Sequence, residues 1–147
     1  MKKLIILVIL ILIIPSTAFA MTEKDIQVMQ YDAEVVEILA KIVYAEANGV
    51  ESEAEQQAVI WCILNRVDAG WGTLKEVATA PHQFAYNARD MSRLKYRNMV
   101  REVLELWRTD GERALPSDYL YFAGRNGHNY FRKSYGSTEY WRFEDGD

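Results

Sequence analysis

From residue 35 onward the apolar positions of the chain fall into a helical rhythm. Val35, Leu39 and Ile42 step by four and three residues, and Val36, Ile38 and Val43 widen the stripe. That spacing places side chains on one face of a helix. The pattern predicts a helix that stops at Asn48-Gly49, and the polar residues 21–32 before it read as a loose lead segment or as its start. A second helix follows at once. Ser52 to Glu55 has the form of a capping box, and Ile60, Ile63, Leu64 and Val67 keep the i, i+3, i+4, i+7 spacing. Ala58, Trp61 and Cys62 add a second apolar face, so this helix is expected to be buried on most sides and to end near Asp68-Ala69-Gly70.

Thr73 to Glu76 forms another capping box, opening a short helix that Pro81 limits. The stretch "HQFAYNARD" then reads as a loop, followed by a helix from about Met91 to Arg108. Leu94, Val100, Val103, Leu104 and Trp107 are expected on the buried side of that helix, and Asp110-Gly111 at its end. The last third is aromatic-rich. Asn126-Gly127 between two short aromatic runs signals a β-hairpin, with a loop of two residues or longer. The expected fold is mainly α (α+β): a helical domain with a small C-terminal aromatic hairpin, and no internal repeat.

The first twenty residues stand apart. "MKKLIILVILILIIPSTAFA" has two lysines, an apolar run from Leu4 to Ile14, Pro15, and a small-x-small ending at Ala18-Phe19-Ala20. That is the layout of a secretory signal peptide, and the run is too short for a spanning helix. The expected organisation is a signal peptide at 1–20, a lead segment at 21–34 and one catalytic domain at 35–147. The protein would be exported to the cell wall, periplasm or extracellular space, touching membrane only through that peptide if it is not cut. Loss of Lys2 and Lys3 takes the formal net charge from −4 to −6. An acidic chain without a basic stripe argues against nucleic-acid binding. The single cysteine, Cys62, excludes an internal disulfide and reads as a small buried hydrophobe. Two histidines and one cysteine show no metal-ligand spacing, so neither a metal nor another cofactor is expected.

Glu46 carries the candidate chemistry. It lies four residues after Ile42 and seven after Leu39, on the side of the core stripe and in the last helical turn. Burial and the negative end of the helix dipole both favour the protonated acid. A protonated carboxyl is what a glycosidic leaving oxygen needs as a proton donor. The alternative is an ordinary charge at a frayed helix end, and helical geometry leaves both open. Asp32, Asp90 and Asp118 each fall at an element boundary, where capping is the simpler role.

"VYAEANG", followed by "AVIWCILNRV" and then "HQFAYN", resembles the bacterial cell-wall hydrolase family of the spore cortex-lytic type. The matching segments are Tyr44-Ala45-Glu46-Ala47, Leu64-Asn65-Arg66-Val67 and Gln83-Phe84, and "LYFAGRNGHNYFR" is similar to the family's closing aromatic and histidine segment. The resemblance runs over about residues 36–143 and rests on the order of motifs that are individually short. It implies a lysozyme-like fold that cuts peptidoglycan strands between N-acetylmuramic acid and N-acetylglucosamine. It also implies a lytic transglycosylase outcome with 1,6-anhydro ends, Glu46 acting first as acid and then as base. Peptidoglycan glycan strands would be the partner of a monomeric enzyme. Two alternatives stay open: a muramidase or glucosaminidase that uses water, and a non-catalytic wall-binding module.

Around Glu46 the candidate substrate-binding residues are Asn65, Gln83, Phe84, Tyr86, Tyr121 and His128. An amide beside aromatics can hold an acetamido group and stack on a sugar face. Phe84 reads equally as a loop anchor, Tyr121 as a packing residue and His128 as an exposed turn residue, while Tyr130 flanks the same turn. Asn65 would reach Glu46 if the first two helices form a hairpin. Arg66 reads as a partner for terminal carbonyls. Trp61 and Trp107 fall at core spacing, and the sequence leaves Trp71 and Trp141 undecided.

Overall fold

The helix at the centre of the chain begins where Ser52 turns its side chain onto the backbone. Its Oγ accepts from Glu55 N at 3.2 Å, satisfying one of the donors that a helix start leaves unpaired. A computed structural model of the 147-residue chain describes residues 23–87 and 92–143, with side chains from residue 33 within those ranges. The stretch read as a signal peptide lies outside the described residues, as do Asp90 and the side chain of Asp32. Among the described residues there are four α-helices and one two-stranded sheet: α1 (Glu23–Ala47), α2 (Glu53–Asp68), α3 (Leu74–Thr79), α4 (Leu94–Arg108), β1 (Tyr121–Arg125) and β2 (His128–Arg132). The fold is mainly α with a small antiparallel hairpin. Among those residues no helix is long and apolar enough to cross a membrane.

Apart from Gln57, every residue of α2 from Glu55 to Arg66 is buried, so this helix is the axis around which the others pack. A Schellman turn ends it. Gly70 N donates to Val67 O at 2.9 Å and Trp71 N to Arg66 O at 3.0 Å, with Gly70 at φ 81°. Only glycine takes that left-handed conformation at little cost, and the turn carries Trp71 sharply off the helix axis.

The first helix is already formed at Glu23, so the expected lead segment belongs to the helix where it is described. A helix needs one buried stripe and tolerates polar residues elsewhere. Val35, Leu39, Ile42 and Val43 supply that stripe. The capping box that opens α3 is complete: Thr73 N donates to Glu76 Oε2 at 2.8 Å and Glu76 N to Thr73 Oγ1 at 3.3 Å. These bonds from Thr73 lower the pKa of the Glu76 carboxyl. In α4 the buried residues are Tyr96, Met99, Val100, Val103 and Leu104. Leu94 lies off that stripe and is 62% exposed, against the expectation from sequence. Trp107 is half-buried and donates Nε1–H to Asp68 Oδ1 at 3.0 Å. Glu37 ties α1 to the start of α4, accepting from Ser92 Oγ and lying 3.5 Å from Arg97.

The hairpin pairs Tyr121 with Arg132 and Arg125 with His128. Asn126 and Gly127 both have positive φ, 54° and 78°, as a two-residue type I′ turn requires. Phe122 and Phe131 pair on the face turned to the helices, Phe131 fully buried. Trp141 extends the sheet by one bridge to Phe131. With no disulfide available, the core of Trp61, Phe131, Leu39, Ile42, Ile60 and Leu115 must hold the fold by packing, at roughly 1.5–3 kcal/mol for each large side chain buried.

Candidate active site

Glu46 occupies the last turn of α1, half-buried beside the exposed turn Asn48-Gly49. What fixes the side chain is a loop from elsewhere in the chain. Tyr86 N donates to Phe84 O at 2.9 Å, closing a three-residue turn around Ala85. That turn leaves the Ala85 N–H pointing away from its own loop, and Glu46 Oε1 accepts it. Glu46 Oε2 has no hydrogen-bond partner among the described residues.

The loop is anchored by Phe84. Its ring stacks on Phe122 at 6.1 Å and 23°, with the Arg66 guanidinium 4.7 Å from its centre. Tyr86 packs half-buried against the core. Gln83 Oε1 accepts from Arg66 Nη1 at 3.1 Å. The loop is thus clamped between α2 and the hairpin, and Ala85 reaches Glu46 from a fixed base. Gly127, at the hairpin tip, approaches Gly49: a Cβ added there would sit 3.8 Å from the Gly49 carbonyl oxygen. Glu46 therefore lies on a rim that the 83–87 loop bounds at Ala85 and the hairpin tip approaches at Gly49.

Beyond the loop opens a cleft of about 650 Å³, lined by Arg66, Trp71, Gln83, Tyr121 and Arg132 among others. Glu46 is not among its lining residues. Gln83 of the same loop lines the cleft, while Ala85 holds the acid. Tyr121 forms part of the cleft wall, edge-on to Trp71 at 5.7 Å and to Tyr135 at 6.1 Å. Trp141 packs on Phe143 and Tyr119 instead.

Two expected substrate contacts, Asn65 and His128, are engaged within the protein. Asn65 is fully buried, donating Nδ2–H to Pro116 O at 2.8 Å and Tyr119 O at 3.0 Å, and accepting from Arg113 at 2.9 Å. It holds the 116–119 segment and makes no hydrogen bond to Glu46. His128 is turned toward α2, where its Nδ1 lies 3.2 Å from Glu55 Oε2. Glu55 has no exposure, and its Oε1 accepts the Asn129 N–H. Only half of the expected capping box is therefore used at α2: Ser52 caps the helix, while the Glu55 carboxylate is spent on the hairpin. Asp118 is exposed and pairs with Lys133 at 2.5 Å, which lowers the pKa of its carboxyl.

Arg66 is the residue that sequence reasoning undervalued. It is 4% exposed, donates Nε–H to Leu120 O at 2.6 Å, and lies within 5.2 Å of the ring centres of Trp71, Phe84 and Tyr121. Burial lowers its pKa, opposed by neighbouring Cys62 and Tyr121. Its position three residues after Ile63 and four after Cys62 already places it on an apolar face, a signal that it serves the interior. In comparisons with known proteins, no family model, curated protein or solved structure matches the chain.

Proposed function

We propose that this protein cleaves the glycan strands of peptidoglycan between N-acetylmuramic acid and N-acetylglucosamine, on a lysozyme-like helical fold, as an exported lytic transglycosylase. One observation carries the reading: Glu46 lies in the last turn of α1 with Oε1 held by the Ala85 N–H and Oε2 unengaged among the described residues. In the proposed reaction the protonated carboxyl gives its proton to the glycosidic oxygen as the bond to C1 breaks. The resulting carboxylate takes the proton of the sugar's C6 hydroxyl, whose oxygen bonds C1 and leaves a 1,6-anhydro end. One carboxylate suffices for both steps. The carboxylates of Glu55 and Asp118 are already engaged, with Asn129 and His128 and with Lys133. The order of "YAEA", "LNRV", "QF" and the aromatic hairpin supports the same reading through its likeness to cortex-lytic cell-wall hydrolases.

The test is mass spectrometry of fragments released from purified peptidoglycan by wild type and Glu46→Gln. Anhydro-ended fragments from the wild type, and none from the variant, are expected. Reducing ends would replace transglycosylation by hydrolysis, and equal release by the variant would remove Glu46 as the catalyst. Binding to the wall without release by either protein would make this a binding module.

A further inference from the structure

We propose that the cleft between the 81–83 loop and the outer face of the hairpin is a carboxylate-binding subsite, with Arg132 as its anion-holding residue. Arg132 lies opposite Tyr121 in the hairpin and lines the cleft. Its side chain makes no hydrogen bond or ion pair among the described residues, and its Nε is buried without a partner. The Nε is shut from solvent and so from any ligand, but the unpaired terminal nitrogens of the guanidinium are not, and an anionic ligand in the cleft would supply their acceptor.

Three other cations nearby are engaged. Lys133 pairs with Asp118, Arg113 with Asp68, and Arg66 is held by Leu120 and Gln83. Acidic residues outnumber basic ones in the chain, 21 to 17, yet none lines this cleft. Glu76 lines a smaller adjoining pocket, where its Oε2 is committed to Thr73. The cleft therefore presents Arg66 and Arg132 without a neutralising carboxylate. Gln83, its oxygen spent on Arg66, adds amide hydrogens as further donors.

The walls define the rest of the ligand. Trp71 is 45% exposed and Tyr135 82% exposed, with Tyr121 between them. Exposed aromatic rings beside a guanidinium suit an anion carried on a body with apolar faces. If the glycan reading holds, that ligand is a carboxylate of the short peptides that branch from the strand. That the anion is a carboxylate rests on that reading, while the preference for an anion on a body with apolar faces rests on the cleft alone.

The test uses the full chain and calorimetric titration with a sugar-free tripeptide carrying the free carboxylates of a peptidoglycan stem. The same tripeptide with its carboxylates amidated, and inorganic phosphate, serve as comparison ligands. We expect the free acid to bind, amidation to weaken it by about tenfold or more, and added salt to weaken it further. Arg132→Gln should weaken it by a similar factor, and Arg132→Lys should recover part of the loss. Thermal melting of both variants controls for folding. Equal binding of the amidated peptide, equal binding by Arg132→Gln, or phosphate binding as tightly as the free acid would each overturn the proposal. Binding is read without sugar or cleavage, so failure of Glu46 as a catalyst would leave this result standing, and the reverse.

Discussion

Glu55 and His128, separated by 73 positions in the chain, meet with the carboxylate Oε2 3.2 Å from the imidazole Nδ1. The other oxygen of the same buried carboxylate takes the Asn129 N–H. Glu55 lies in the first turn of α2, where the helix dipole favours negative charge. One side chain thus joins the central helix to the strand that leaves the hairpin turn. Glu55→Ala would strand the buried Asn129 N–H and open a cavity, at a cost of roughly 3–5 kcal/mol. Glu55→Gln keeps the shape and an acceptor oxygen, and should cost only about 1–2 kcal/mol. Urea unfolding of both variants measures this. A Glu55→Ala midpoint indistinguishable from wild type would show that the contact does not tether the hairpin.

The same residue marks where sequence ceased to be legible. Ser-x-x-Glu before an apolar run predicts a capping box, and Ser52 does cap. Whether the glutamate folds back or reaches inward depends on a strand more than seventy residues away, which local pattern cannot supply. Elements governed by local rules were readable: the Thr73–Glu76 box, the Asn126-Gly127 turn and the buried face of α2. Leu94 misled because one apolar residue near a helix start resembles the first member of a stripe. The residues of the cleft come from four segments, and no spacing rule brings Arg66, Trp71, Gln83 and Arg132 together. For Glu46 the helix end was legible, while its contact with Ala85, 39 residues away, was not.

Arg66 should not tolerate its conservative replacement. Its Nε and Nη1 donate in two directions, to Leu120 O and Gln83 Oε1, from a plane flanked by aromatic rings. A lysine ammonium has neither the fork nor the flat face. Arg66→Lys is expected to cost roughly 2–4 kcal/mol in urea unfolding and to change the fluorescence of Trp71, which now lies 5.0 Å from the guanidinium. Unchanged stability would mean that the aromatic cluster holds the loop without the cation.

Burial pushes the Cys62 thiol up from 9.0 to about 12. Between these values the unfolded chain releases a proton that the folded chain keeps, so stability is fully present below pH 9 and falls as pH rises toward 12. The whole shift corresponds to about 4 kcal/mol. Cys62→Ala should therefore lose less stability than wild type over that range, measured by urea unfolding at a series of pH values. At pH 8 the wild-type thiol should resist alkylation until denaturant is added. Rapid labelling of the native protein would contradict its burial.

If Glu46 is the acid, the Ala85 N–H is the group that aims it. Glu46→Gln keeps the hydrogen bond to Ala85 and removes the transferable proton, so release of peptidoglycan fragments should fall by about 10²–10⁴-fold with stability little changed. Ala85→Pro does the reverse, keeping the acid and deleting the donor. Freed from Oε1, the carboxyl can rotate away from the reacting oxygen, and misplacement by about 1 Å is enough to cost roughly 10²-fold in kcat. Ala85→Gly retains the N–H and should stay within a few-fold of wild type, separating loss of the donor from loss of the methyl. The comparison requires that all three variants give wild-type circular dichroism. A fall in kcat for proline but not for glycine would assign the N–H a positioning role. Equal kcat for both would mean that Glu46 is held by something other than this loop.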